Sequence, residues 1–269
     1  MANEMYTLVT GSSMGIGKAL ANECASKGMN LLLVSLPGQN LQDTANEFAT
    51  KYNVKTHFLE IDLTQKESPQ KIFNWCKKNN FAVNILINNA GAGGTTQFDA
   101  SPIEYSDMRI QLNIRALVLL CRLFIPEMKK LDKAYILNVG SMSAFYPIAF
   151  KSVYSASKAF VVRFTLAINE ELRGSSVKMS VVNPNGVQSN EGTESRIKAH
   201  GLKGKLTMVP IDKLAQVSIK RMLKGKVVIL PGKIDRFLVV LGGLTPTKFK
   251  VKMLAKEFRK EIESDTILN

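Results

Sequence analysis

Tyr154 and Lys158 stand four residues apart in "VYSASKAFVVRF", residues 153–164, among small side chains at the head of an apolar stretch. On a helix, i and i+4 share a face. A half-buried phenol beside a solvated ammonium satisfies that pattern. So does a proton donor held acidic by a fixed positive charge. A free phenol titrates near pH 10, about, and releases its proton reluctantly at neutral pH. An ammonium within reach is expected to lower that value by roughly 1–3 units. Ser141 follows the apolar run "AYILNVG" and precedes Tyr154 by 13 residues. The chain between them can fold back so that both hydroxyls reach one carbonyl oxygen, a role for which Ser143 competes. Such a pair could stabilise a developing oxyanion and protonate it.

A second chemical feature is the turn "TGSSMGIGKAL", which follows "MYTLVT". Gly11, Gly15 and Gly17 make G-x-x-x-G-x-G at a strand-to-helix junction. Glycine there permits positive φ and lets a diphosphate approach the backbone. The helix start supplies unpaired N–H groups and the positive end of a dipole. The spacing is not G-x-G-x-x-G, and a tight turn without ligand fits it too. Its place after the first strand of an α/β chain favours a nucleotide.

Cofactor choice should be readable at the end of the second strand, "LLLVSLPGQN". An acidic residue there would bind the ribose 2′-OH of NAD. Ser35 and Leu36 occupy the position instead, and no arginine waits for a 2′-phosphate. The missing acid leans to NADP over NAD, with the Ser35 hydroxyl and the backbone at Gln39 and Asn40 as phosphate partners. Asp62 ends the third strand, where it could meet an adenine amine or cap a helix. In "NNAG", residues 88–91, Asn88 and Asn89 can satisfy backbone groups where strands splay, and Gly91 lets the chain pass close to a cofactor.

The elements that must position these groups alternate. Strands are predicted at 5–10, 30–35, 55–61, 84–88, 134–140, 177–183 and 226–230. Amphipathic helices are predicted near 15–27, 39–52, 67–79, 104–130, 152–173 and 212–224. Several strands are apolar almost throughout, as when both faces are covered. Strict alternation implies an α/β fold: a doubly wound parallel sheet, Rossmann-like, in a single domain with a C-terminal helical extension. The expected division is 1–243 for the dinucleotide-binding and catalytic domain and 244–269 for a basic helical extension. The polar, glycine-containing stretch 190–211 is a candidate lid over a sheet edge.

Bulk properties narrow the class. The 269 residues, 45% hydrophobic and 22% charged, suit a globular chain with a full core. "MANEMYTLVTG" runs straight into a strand and leaves no room for a secretion signal, and the apolar runs fall short of the roughly 20 residues a bilayer span needs. A soluble, cytoplasmic protein is the expectation. Cys24, Cys76 and Cys121 lie in helical windows with no metal or disulfide spacing, so buried free thiols are expected. His57 and His200 have no ligand pattern, and no metal is assigned. Of the net charge of +14, the stretch 196–261 holds 17 Lys and Arg against 4 Asp and Glu, a net +13. A solvated basic face accounts for this; so would anionic lipid, an acidic carrier protein or an anionic substrate. No recognition motif accompanies the charge, which argues against nucleic acid.

Over about residues 5–240 the chain resembles the short-chain dehydrogenase/reductase family. The resemblance rests on "TGSSMGIG", "DL" at 62–63, "NNAG", Asn113 in "QLNIRA", Ser141, "YSASK" at 154–158 and "VVNPNGVQS" at 181–189. It implies that Ser141 and Tyr154 bind the reacting oxygen. Lys158 would hold the nicotinamide ribose and lower the Tyr154 pKa, and Asn113 would support a water-linked proton path. It implies cofactor contacts at Gly11, Ser12, Ser13, Gly15, Ile16 and Gly17, at Ser35, Asp62 and Leu63, at Asn89, Ala90 and Gly91, and at Pro184, Gly186 and Val187 as well as Asn113, Tyr154 and Lys158. Three positions depart from the family pattern. Leu36 replaces a frequent arginine, Gly140 a common serine, and Asn185-Gly186 the usual Gly-Pro. The tail "LKGKVVILPGKIDRFLVVLGGLTP" looks like a branch with ketoacyl and steroid reductases.

The implied reaction moves hydride between a nicotinamide and a small-molecule carbonyl or alcohol. Phe145, Tyr146, Pro147, Ile148 and the 187–210 region are candidate pocket residues, apolar enough for an acyl chain, a sterol or another lipophilic ketone. Ordinary packing explains them equally. The basic, apolar C-terminal segment could rest on a membrane surface or form a homo-oligomer contact. A non-catalytic NADP-binding sensor and a peripheral membrane-binding module are the rival functions.

Overall fold

The computed structural model describes residues 4–185, 208–232 and 234–267. Among these, seven strands form one parallel sheet: β1 (Met5–Thr10), β2 (Asn30–Ser35), β3 (Thr56–Glu60), β4 (Ala82–Asn88), β5 (Ala134–Val139), β6 (Val177–Val182) and β7 (Val228–Ile229), in the order β3-β2-β1-β4-β5-β6-β7. Successive side chains point to opposite faces of a strand, and here both faces are apolar. Leu31, Leu33, Ile85 and Ile87 pack with α1 (Gly15–Ala25), α2 (Leu41–Tyr52) and α7 (Ile211–Leu223). Leu32, Val34, Leu86 and Ile136 pack against α3 (Ser68–Lys78), α5 (Leu117–Met128) and α6 (Ser152–Glu171). That two-sided burial is why the strands read as nearly unbroken apolar runs. The three cysteines are free and buried in α1, α3 and α5.

The strand order reverses between β1 and β4, so a crevice opens at their carboxyl ends. The glycine turn, "NNAG" and Ser141 all arrive at that edge. The single helix expected over 104–130 is divided: α4 (Ile103–Ile110) passes through a π-helical turn, Gln111–Ala116, into α5. Past β7, α8 (Asp235–Leu244) and α9 (Thr247–Ile267) form the C-terminal helical extension. Among the described residues no helix is long and apolar enough to cross a membrane. The expected lid, apart from its last four residues, and the pocket candidates of 187–207 lie outside the described residues, as do Gly186 and Val187.

Candidate active site

The turn after β1 is held by backbone. Gly11 and Gly15 have φ of +64° and +56°, in the left-handed region that favours glycine. Gly17 has another reason to be glycine: a Cβ there would lie 1.9 Å from Gly11 O and 2.4 Å from Asn89 Nδ2. The first turn of α1 therefore packs directly on the strand end. No side chain caps α1 and no acidic residue lies in its first turn. Its leading N–H groups are left to meet an anion. Ser12 is fully buried, its Oγ donating to Val34 O at 3.3 Å. Ile16 packs against the α1–α2 side of the core. Beyond the turn, Ser13 Oγ and Ser35 Oγ lie 2.8 Å apart, and both donate to Gln39 Oε1, at 2.5 and 3.0 Å.

The end of β4 is laced to the same turn. Asn89 Nδ2 donates to Thr10 O and Gly11 O, both at 3.0 Å, while Asn89 N and Ala90 N donate to Thr10 Oγ1 at 3.0 and 3.1 Å. Asn113, in the π-helical turn, holds the next step. Its Oδ1 accepts from Ala92 N at 2.8 Å, and its Nδ2 donates to Ala92 O at 3.0 Å and Ser157 Oγ at 3.1 Å. A Cβ on Gly91 would come within 3.1 Å of Asn113 Oδ1 and 3.4 Å of Lys158 Nζ. Sequence-distant Gly91, Asn113 and Lys158 are thus neighbours. Asn88 lies deeper, donating to Asn138 Oδ1 at 2.9 Å, and Asn138 in turn donates to Thr165 Oγ1 at 2.9 Å. This buried polar chain ties β4, β5 and α6 together.

Ser141 follows β5, and its Oγ accepts from Ser143 N at 3.1 Å. Ser143 Oγ is buried without a hydrogen bond of good geometry. Tyr154 and Lys158 share the first turns of α6, as their spacing requires. Lys158 is buried, its Nζ donating to Val139 O at 2.8 Å and lying 5.9 Å from the Tyr154 ring centre. Burial lowers the ammonium to about 8. The expected depression of the Tyr154 pKa is corrected here. Burial raises the phenol above its ordinary value, and hydrogen bonding with Ser141 and Ser143 opposes the shift without cancelling it. The ammonium is turned to the Val139 carbonyl, so desolvation outweighs its pull.

Asp62 does not cap a helix, since α3 begins at Ser68 after Glu67. Its carboxylate accepts from Thr64 N, Thr64 Oγ1 and Gln65 Nε2. Burial works to raise its pKa, but the bonds from Thr64 and Gln65 prevail and hold it low. Leu63 sends its side chain into the core, leaving only backbone for a ligand. Pro184 O accepts from Met142 N at 2.9 Å, joining the β6 exit to the Ser141 turn. Of the pocket candidates, Ile148 is buried and Tyr146 is bonded to α8, its hydroxyl donating to Leu238 O at 2.7 Å.

Two positioning groups escaped the sequence reading. Arg109 is buried, donates to Gly93 O and Tyr105 O, and stacks 3.2 Å from the Tyr105 ring centre. It clamps the loop whose Gly93 faces Tyr154, where a Cβ would lie 3.8 Å from Tyr154 Cε2. Its i, i+4 relation to Tyr105 was the available signal. Asn183 is the other: its Oδ1 accepts from Ser141 N at 3.2 Å and would lie 2.2 Å from any Cβ at Gly140. The departure from serine at Gly140 is therefore matched by this asparagine.

These residues fit a dinucleotide: an uncapped helix N-terminus, positive-φ glycines and a close backbone passage at Gly91 line one crevice. Among known proteins, a family model described as short chain dehydrogenase matches residues 6–200. The rat very-long-chain 3-oxoacyl-CoA reductase is 30% identical over 185 residues, covering 66% of this chain and 58% of that protein. Human 17-beta-hydroxysteroid dehydrogenase type 3 is 31% identical over 187 residues, covering 68% and 59%. The matched stretch thus spans under two thirds of either relative. A 7beta-hydroxysteroid dehydrogenase structure superposes with a TM-score of 0.84 at 18% identity, over 93% of this chain and 96% of that one, a likeness of fold. A short-chain dehydrogenase from Sphingobium yanoikuyae in complex with NADPH gives 0.76 at 26% identity, over 88% and 92%.

Proposed function

Because the chain belongs to the short-chain dehydrogenase/reductase family, we propose that it reduces a lipophilic ketone or 3-oxoacyl-type carbonyl, with NADPH preferred over NADH. The observation that carries this reading is the convergence of Ser141, Tyr154, Lys158 and Asn113 at the sheet edge where the glycine turn ends. When bound, the reduced nicotinamide supplies the hydride for the carbonyl carbon. Negative charge then grows on the carbonyl oxygen. Ser141 Oγ donates a hydrogen bond to that oxygen, and Tyr154 gives it the phenolic proton. The raised phenol pKa keeps Tyr154 protonated at neutral pH, the form that reduction needs. Lys158 keeps its ammonium one helical turn from Tyr154, 5.9 Å from the ring centre, and would turn from Val139 O to steady a phenolate. Asn113 acts as a positioning residue, fixing Ala92 and the Ser157 turn around it.

Two features favour NADPH. The end of β2 carries no carboxylate, and the side-by-side Ser13 and Ser35 hydroxyls, which donate to Gln39 Oε1, would turn from it to a 2′-phosphate. A lipophilic substrate has Phe98, Phe150 and Val153 in its favour beside Tyr154, in a lining that also carries Thr96, Ser101, Ser106, Arg109 and Lys151. It also agrees with the names of the curated relatives, an acyl-CoA reductase and a steroid dehydrogenase. The test is carbonyl-dependent oxidation of NADPH and NADH, in parallel, against 3-oxoacyl thioesters and steroid ketones. Tyr154→Phe should cut kcat by about 10²–10⁴ while cofactor affinity is retained. Undiminished turnover in that variant would overturn the reading.

A further inference from the structure

α8 turns its apolar stripe outward. Phe237, Val240, Leu241 and Leu244 follow the i, i+3, i+4, i+7 rule of one helical face, and they are between 48% and 80% exposed. An amphipathic helix on a globular core ordinarily buries that stripe. The contacts of α8 with the body are of another kind. Leu238 O accepts from Tyr146 OH, Gly242 lies against the Tyr146 ring, and fully buried Asp235 accepts from Gly232 N at 2.6 Å. In α9, Phe249 and Met253 add more exposed apolar surface. Lys250 ties the two helices together, donating to Gly242 O at 2.6 Å.

Cations frame this surface. Arg236, Lys248, Lys252, Lys256 and Arg259 are exposed on α8 and the first part of α9. Over residues 234–259 the acidic side chains are Asp235, which is buried, and Glu257. Exposed aromatic and aliphatic side chains beside lysines suit an interface with an acyl layer and anionic headgroups. A two-fold contact with a second copy fits less well, because it would set these cations against themselves.

We propose that α8 and the first half of α9 dock this chain on the surface of a membrane carrying anionic lipid, without spanning it. The stripe Phe237–Leu244 enters the headgroup–acyl boundary, and the lysines of α9 engage the headgroups. The inner side of α8 rests on Tyr146, which closes the turn carrying Ser141. On the functional reading above, a lipophilic carbonyl dissolved in the membrane would meet the chain next to its candidate active site. The docking itself does not depend on that reading.

The experiment is co-sedimentation of the full chain with phosphatidylcholine vesicles, with and without phosphatidylserine, at low and high salt. Binding is expected only with phosphatidylserine and should weaken as salt rises. Each lysine near the surface is worth about fivefold in binding, so Lys248→Gln/Lys252→Gln should weaken it roughly 25-fold. Phe237→Ser/Leu244→Ser should reduce it by at least about tenfold. A thermal melt and cofactor titration of each variant confirm that it is folded. Failure to sediment with phosphatidylserine vesicles, equal binding to neutral vesicles, or binding unmoved by both double variants would overturn the proposal. So would a dimer that forms in solution and is lost in Phe237→Ser/Leu244→Ser.

Discussion

The glycine turn after β1 and the serine turn after β5 reach the same sheet edge, but different atoms hold them. Around Gly11–Gly17 the neighbours are backbone and a single carboxamide: strand end, helix start and Asn89 pack so closely that a Cβ at Gly11 or Gly17 is excluded. Around Ser141 the neighbours are side chains from far along the chain, Asn183 from the β6 exit and Tyr154 from α6, with α8 behind Tyr146. The first region is close-packed at its glycines. The second contains a buried amide nitrogen without a partner among the described residues, Asn183 Nδ2, and a strained residue, Phe150, at φ +65°. A close-packed cradle suits a cofactor that approaches backbone, and a wall of side chains suits a substrate-facing surface.

Gly17→Ala attacks the cradle and should have the largest effect. Its Cβ would meet Gly11 O at 1.9 Å, and neither backbone can yield without opening the β1–α1 packing. Overpacking of this kind is expected to cost about 3 kcal/mol or more. A urea melt should show that loss, and calorimetric titration should show cofactor affinity falling with it. Wild-type stability and affinity in this variant would mean that the turn is looser than its geometry.

Lys158 joins the two regions, bonded to Val139 O on one side and near Gly91 on the other. Its burial opposes folding. Below about 8 both folded and unfolded chains carry the ammonium, and the folded state bears its full desolvation. Between about 8 and the ordinary 10.5 the folded lysine has lost its proton while the unfolded one keeps it, so its contribution to stability rises with pH across that window. A depression of that size corresponds to about 3 kcal/mol, from which the hydrogen bond to Val139 O, about 1 kcal/mol, must be subtracted. Lys158→Met should therefore stabilise the ligand-free protein by about 2 kcal/mol near neutral pH, while turnover and cofactor affinity collapse. Urea melts at about pH 7 and about pH 9.5 check the sign, because the gain should shrink at the higher value. A destabilised variant would show that the ammonium is compensated by groups other than Val139.

What could be read from the chain was whatever spacing alone determines. Short, nearly unbroken apolar runs placed the strands, G-x-x-x-G-x-G placed the turn, and four-residue spacing put Tyr154 and Lys158 on one helical face. What could not be read depends on where distant side chains point. No glycine or proline in "QLNIRA" marks the π-helical turn, within which Asn113 bonds to Ala92 and Ser157. The sign of the Tyr154 shift depends on burial and on Lys158 facing Val139, neither of which the spacing contains. Composition marked the C-terminal segment as apolar and basic, but only the fold shows that the α8 stripe is left exposed within the described chain.

The smallest predicted effect concerns the serine turn. Restoring the family's serine with Gly140→Ser puts a Cβ 2.2 Å from Asn183 Oδ1 and 3.0 Å from Val181 Cγ2. The clash is with the end of a side chain, so the structure can give, but Asn183 is fully buried and must release Ser141 N to do so. A loss of about 1 kcal/mol is expected, with a fall in kcat larger than any change in cofactor affinity, because Ser141 shifts and the glycine turn does not. Asn183→Ala removes the obstructing carboxamide. If the two positions act on each other, the double variant should lose less than the sum of the singles, by about 0.5–1 kcal/mol. Strict additivity would separate Gly140 from Asn183 and leave the serine turn held by backbone, as the glycine turn is.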